Sequence, residues 1–475
     1  MSNDVMKVDL CVIGAGAAGL SVAAGASQLG ASTVLIEKGR MGGDCLNYGC
    51  VPSKALLAAA HAATAVRGAK RFGVIAAEPR IADAAVFAHI QGAIAAIAPM
   101  DSVERFAGFG VHVIQDEAKF TGPAEVMAGH VRVRARRFVI ATGSAPAIPA
   151  IPGIDAVEVL TNETIFAQPA LPPRLIVIGG GPIGIEMAQA HRRLGSAVTV
   201  VEQSTILPKD DPELVDVVRS RLCQDGIVLH EGVTVTGVAR TTDGIALTLQ
   251  RNGEAMLIEG SHLLVATGRR PNVGGMGLDA GGIEHDAHGI RVDNRLRTTN
   301  RKVFAIGDAV GHHKFTHIAS YHAGIVIRNA LFRLPARLDE RAIPWVTYCA
   351  PELAQVGQTE ATARAGGCDI RILRWALAEN DRAQTEGLTD GFIKAIVTPR
   401  GRILGAGIIG AQAGELIAIW GLAIQEKLPI GAVAKMIVPY PTLGEISKRA
   451  AGSFFTPTLF GERTKRLVRF LARFP

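Results

Sequence analysis

The sequence predicts an α/β fold containing two Rossmann-like units, and three observations predict it. Glycine is abundant, at 54 of 475 residues, while aromatics are 5% and hydrophobics 48%, a balance that suits tight strand-to-helix turns. A succession of apolar strand, glycine-rich turn, helix and second strand ending in an acid occurs twice. The chain also exceeds what one hydrophobic core usually spans, so three or four domains are expected.

The first unit begins with the apolar strand Val8–Val12. It passes through Gly14, Gly16 and Gly19 into an alanine-rich helical run, and its second strand, Thr33–Ile36, ends at Glu37. This order binds a dinucleotide for physical reasons. The first two glycines permit a tight turn and close backbone approach, and the third lets helix and strand pack. The pyrophosphate sits on the helix N-terminus, while the acid accepts from a ribose diol. The second unit repeats it: Leu175–Ile178, then Gly179, Gly181 and Gly184, a helix through Glu186–Leu194, and Ala197–Val201 ending at Glu202. One such turn is a weak signal; two complete copies imply two dinucleotides.

Each unit is followed by an apolar strand running into Ala-Thr-Gly. The first is Phe138–Gly143, with Thr142 and Gly143 at its turn; the second is Leu263–Gly268, continuing to Asn272. A third strand, Val303–Ile306, ends in Gly307-Asp308, where the aspartate can hold sugar hydroxyls.

Six cysteines in a chain this long are no disulfide scaffold, and only Cys45 and Cys50 are close, within Gly42–Lys54. A disulfide needs Cα atoms within about 7 Å. Five residues span roughly 17 Å when extended and roughly 7.5 Å along a helix. A distorted turn is therefore required, with Gly49 to supply backbone freedom. Zinc would want four ligands, and no second Cys/His pair at suitable spacing accompanies them. From the pair alone two unrelated thiols stay open. Directly after a dinucleotide unit, a redox disulfide is the better reading.

The run GGDCLNYGCVPSK, both nucleotide units, ATGRRPN and VFAIGD together resemble the class I pyridine nucleotide–disulfide oxidoreductases over nearly the whole chain. That family includes dihydrolipoamide dehydrogenase, glutathione reductase and mercuric reductase. The resemblance implies FAD on the first unit and NAD(P)H on the second. It implies Cys50 as the flavin-proximal thiol, Cys45 as the interchange thiol, Lys54 beside the flavin and Glu186 as its ion-pair partner. Glu202 at the end of the second strand favours NADH over NADPH. A C-terminal α+β dimerisation domain is implied as well, giving a homodimer with shared active sites.

On this basis an FAD domain is expected at 1–152, an NAD domain at 153–271, a return to the FAD region at 272–340 and the dimerisation domain at 341–475. Trp345–Gly357 is expected as the first strand of that last domain. One departure bears on substrate. Disulfide-reducing members carry His-Pro-Thr near the C-terminus and a glutamate five residues after the histidine. Here Tyr440-Pro441-Thr442 stands with Glu445. Tyrosine there resembles mercuric reductases, although no cysteine follows Cys368 to match their C-terminal pair. The expected function is an NADH-driven flavin–dithiol reductase of a small-molecule acceptor, mercuric-reductase-like. The alternatives are dihydrolipoamide dehydrogenase and, in another class, a redox-inert FAD-binding partner protein.

The net charge of +7 is mild at this length, and no basic stripe interleaved with aromatics supports nucleic-acid binding. No metal site is expected. The start of the chain lacks a basic region followed by a long apolar stretch, so a cytoplasmic location is expected. The apolar window Ile403–Ile424 reads as strand, turn and helix rather than a membrane span. The tail Gly461–Pro475 places Leu467, Phe470, Leu471 and Phe474 at helical spacing among arginines. It fits a helix packed on the dimer or one lying on a membrane surface, and packing is preferred.

Overall fold

The computed structural model describes residues 5–311 and 314–474. Two compact units divide the chain: Met1–Gly179, Ala190–Gln203 and Val233–Leu338 form the first, and Gly180–Gln189, Ser204–Gly232 and Asp339–Pro475 the second.

In the first unit, β1 (Val5–Ile13) leads into α1 (Ala17–Gln28) and β2 (Thr33–Ile36), with β1 and β2 parallel and Ile13 opposite Ile36. Four helices follow: α2 (Gly43–Asn47), α3 (Cys50–Gly68), α4 (Asp83–Ile97) and α5 (Val103–Gly108). The chain then returns through β3 (Val111–Ile114), β4 (Ala118–Gly122), β5 (Glu125–Ala128) and β6 (Val131–Ile140). The sheet order is β3-β2-β1-β6-β5-β4, and the strand Val303–Ala305 lies parallel to β6. Side chains alternate across it, as strand geometry requires. Leu10, Val12 and Val139 pack with α1 on one face, while Cys11, Ile13, Phe138 and Ile140 pack with Phe120 and Val126 on the other. Both faces are covered, which is why these strands read as unbroken apolar runs.

The second nucleotide unit contributes parallel strands to the same compact unit. Ala197–Glu202 lies beside Arg174–Ile178, then come His262–Val265 and Val159–Leu160. Among the described residues, Asp83–Gly108 is long and apolar enough to cross a membrane. It is broken, however, by a 3-10 turn and by Ser102, which caps α5. Asp83 accepts the Leu171 N–H at 3.0 Å, and Phe87 and Ile90 are buried. It belongs to the domain.

The second unit is built on an antiparallel sheet ordered Pro344–Thr347, Glu352–Gly357, Ile403–Gly410, Phe392–Val397, Arg371–Ala376. The single strand expected over Trp345–Gly357 is instead a hairpin, with Thr347 opposite Leu353. Pro351 has no N–H to give to a ladder, so the chain turns there. The window Ile403–Ile424 is a fully buried strand followed by two short helices. Trp420 anchors the second of these helices by donating Nε1–H to Ser447 at 3.0 Å.

Candidate active site

Cys45 lies on α2, and Cys50 is the first residue of α3. The distorted turn expected between them is a break between two helices at Tyr48-Gly49. Asn47 steadies the α2 side, donating to the carbonyls of Met41 at 3.0 Å and Gly43 at 2.9 Å. Gly49 is needed for space rather than for a left-handed backbone. Its φ is −125°, and a Cβ there would sit 2.9 Å from Asp44 Oδ2.

The two thiols occupy unlike electrostatic positions. Cys45 is half-buried and Cys50 exposed, both unbridged. The Cys45 thiol donates to Cys50, which draws the Cys50 pKa down to about 6 against the opposing effect of burial. The Thr316 hydroxyl, 3.3 Å from Cys50 Sγ, and the Lys54 charge one turn along α3 act in the same direction. The N-terminus of α3 adds its positive end. That same bond, with burial, pushes Cys45 well above the usual thiol range. At neutral pH Cys50 is therefore a thiolate beside a protonated Cys45.

Thr316 carried no signal in the sequence, being 266 residues from its thiol partner. Thr316→Val is expected to raise the Cys50 midpoint by about one pH unit, because a hydrogen bond to a charged group is lost. Thr316→Ser should keep it low. Thiolate ultraviolet absorbance against pH measures both, and an unmoved valine variant would remove Thr316 from this account.

Asp44, adjacent to Cys45, ties the redox loop to the rest of the first unit. It pairs with Arg269 Nη2 at 3.0 Å and accepts from Asn162 Nδ2 at 3.0 Å. Arg269 donates Nε–H to the Ser144 hydroxyl at 2.7 Å, and Ser144 donates to Asp308 at 2.6 Å. Burial holds the Asp308 carboxyl above its usual range, with Ser144 and Arg269 opposing. Asn162 and Ser144 carried no signal in the sequence, and Asp44 lies inside GGDCLNYGCVPSK with no role attached. Arg269 lay inside a quoted motif with no role attached.

The two glycine turns share one construction. Gly14 has φ +103°, and a Cβ there would meet the Ala141 carbonyl oxygen at 2.4 Å; Gly179 has φ +114° and stands 2.5 Å from that of Ala266 by the same measure. Each first glycine thus rests on the backbone carbonyl of the alanine in its own Ala-Thr-Gly. Glu37 accepts the Ala15 N–H at 2.5 Å and that of Gly39 at 2.7 Å. α1 begins at Gly16 without a side-chain cap and without an acid in its first turn, which suits an anion on its amides. Gly19 is buried in α1. Thr142 donates to the Asn272 carbonyl at 2.8 Å, and Gly143 and Gly268 face open space. Gly14, Gly16, Gly19, Glu37, Thr142 and Gly143 fit FAD on the first turn. Gly181 and Gly184 flank the start of the helix Pro182–Arg193, and Glu202 ends its strand half-buried.

In the second unit, Glu186 is 5% exposed and accepts the Tyr348 N–H at 2.9 Å. Tyr440 is 69% exposed, and its hydroxyl donates to Asp381 Oδ2 at 2.7 Å. That bond and the Asp381 charge, with Glu445 adding to them, raise the phenol above its ordinary range. Glu445 opens the helix Glu445–Ser453.

Residues 8–323 match the family model described as pyridine nucleotide-disulphide oxidoreductase, and residues 343–451 match that family's dimerisation domain. A mercuric reductase of Streptomyces lividans is 36% identical over 94% of this chain and 96% of its own. A dihydrolipoyl dehydrogenase of Geobacillus stearothermophilus is 35% identical with the same coverage. Among solved structures, the Cu(II) complex of an HOCl-induced flavoprotein disulfide reductase from Escherichia coli superposes with a TM-score of 0.83. It is 26% identical and covers 93% of this chain and 99% of that one. LpdA from Mycobacterium tuberculosis gives 0.86 at 27% identity, covering 94% and 99%.

Proposed function

The chain belongs to the pyridine nucleotide-disulphide oxidoreductase family, and within it we propose an NADH-driven, mercuric-reductase-like enzyme whose acceptor is not a lipoamide or glutathione disulfide. The family's members are FAD-dependent flavoproteins with a nicotinamide substrate and a dimerisation domain. Bound FAD would supply the redox chemistry that links a nicotinamide hydride donor to the cysteine pair. Gly14, Gly16, Gly19, Glu37, Thr142, Gly143 and Asp308 would hold it, with Lys54 beside it. Gly179, Gly181, Gly184, Glu202 and Gly268 would hold the nicotinamide cofactor. The unlike thiols support a division of labour. The thiolate Cys50 would serve the flavin side of the pair, and the protonated Cys45 would meet the acceptor. The domain division at 152, 271 and 340 and a homodimer with shared active sites complete the reading.

One observation carries the choice of acceptor: the Tyr440 hydroxyl is committed to Asp381. With identities of 36% and 35%, the named relatives do not separate the two activities. A phenol has a pKa of about 10 against about 6.5 for imidazole, and here it is raised further. It gives Cys45 no general base at neutral pH. Acceptors that need no such proton carrier are favoured: a soft metal ion between thiolates, a quinone, or a reactive sulfur or halogen species. The Cu(II)-bound, HOCl-induced neighbour makes copper and hypochlorous acid natural members of that set. The test is steady-state NADH oxidation across lipoamide, glutathione disulfide, Hg²⁺, Cu²⁺, polysulfide, quinones and hypothiocyanite. Lipoamide as the fastest acceptor would overturn the choice.

NADH preference has its own test. A carboxylate at Glu202 accepts from a ribose 2′-hydroxyl and repels a 2′-phosphate. Glu202→Ala is expected to lower the NADH-to-NADPH ratio of kcat/KM by about tenfold or more. An unchanged ratio would assign the acid to solvent.

A further inference from the structure

The matched dimerisation domain ends at residue 451, and the chain continues into a segment of different character. The helix Glu462–Leu471 has no buried residue. Leu467, Phe470, Leu471 and Phe474 are each more than half exposed. Their spacing of three and four residues puts them on one face. The rings of Phe470 and Phe474 meet edge-on with centroids 5.2 Å apart, so that face extends past the end of the helix. At 100° per residue, Lys465, Arg469 and Arg473 fall on the opposite side, and Arg466 lies on the flank beside Phe470. Arg463 falls within the apolar sector, one turn before Leu467 at the start of the helix, where a long side chain can reach up to a polar layer. The segment holds a single acid, Glu462, bridged to Lys465 at 3.0 Å.

We propose that this tail helix docks the enzyme on an anionic phospholipid bilayer. It would lie in the interface plane, with Leu467, Phe470, Leu471 and Phe474 at the acyl boundary and the arginines among the headgroups. Charge decides between the occupants. A second copy that set its own tail helix against this one would bring the same cations, and the one acid of the segment is already bridged. An anionic lipid surface satisfies the apolar stripe and the cations together. The helix is too short to span a bilayer, so the contact is peripheral and salt-sensitive.

The test uses the full FAD-loaded enzyme with vesicles of phosphatidylcholine alone or phosphatidylcholine mixed with phosphatidylglycerol. Co-sedimentation is expected with the anionic vesicles only, and should fall as salt is raised. Arg466→Gln and Arg469→Gln are each expected to weaken partitioning about fivefold. Phe470→Ser paired with Leu471→Ser should abolish it. Truncation after Phe460 should do the same while sparing the dimer and NADH oxidation. Equal binding to both vesicle types, binding that survives truncation, or a truncated chain that becomes monomeric would each overturn the proposal. The last outcome would give the helix to a second copy.

Discussion

Cys50→Ser is expected to remove the long-wavelength absorbance that anaerobic NADH produces in the flavoprotein, and to lower acceptor turnover on the order of 10³-fold or more. Serine matches cysteine in shape but stays protonated where the thiol ionises near pH 6. The yellow colour of bound FAD should therefore survive while the thiolate signal is lost. The pH dependence has a definite sign. In the wild type the thiolate is present above about pH 6 and is lost as pH falls through that value. Cys45 supplies the largest contribution to that depression. Cys45→Ser keeps a hydroxyl donor and should retain the absorbance while losing disulfide turnover. Cys45→Ala removes the donor and should move the midpoint upward. Absorbance titrations of the three variants separate the roles. Equal behaviour of Cys45→Ser and Cys50→Ser would dissolve the division between the thiols.

Tyr440→His is expected to raise lipoamide reduction by up to about 10²–10⁴-fold, the usual worth of a positioned acid–base group. Its neighbours are already in place, since Thr442 and Glu445 follow Pro441 as they do after the family's histidine. Tyr440→Phe removes the bond to Asp381 and should leave lipoamide turnover low. The favoured acceptor should be handled at a similar rate by all three proteins, because its reduction draws no proton from residue 440. If wild-type lipoamide turnover is already fast and phenylalanine leaves it intact, the tyrosine does not limit the chemistry. An imidazole that accelerates every acceptor alike would point to a general effect at the site.

The sequence by itself determined the repeated nucleotide units, the placement of Cys45 and Cys50 after the first of them, and the tyrosine in place of histidine. Such features are legible because each depends on neighbours in the chain. A tight turn needs its glycines, a buried parallel strand its apolar run, and a thiol pair its close spacing. The same locality explains where the reading failed. Trp345–Gly357 looks like one strand, because a proline's effect on its direction depends on what pairs beside it. Gly49 reads as a source of backbone freedom, and the room it leaves beside the Asp44 carboxylate is seen only in the folded turn.

Only the tertiary structure decided the electrostatics. Thr316 reaches Cys50 from 266 residues away, and Asp44 meets Asn162 across 118 residues and Arg269 from farther still. Asp381 takes the Tyr440 hydroxyl from 59 residues earlier. A thiol's ionisation depends on donors and charges within a few ångströms. Spacing along the chain says nothing about which distant residues arrive there. The pair of cysteines was therefore visible in the sequence and the resemblance implied their roles, but the donors that lower the Cys50 pKa were set by the fold.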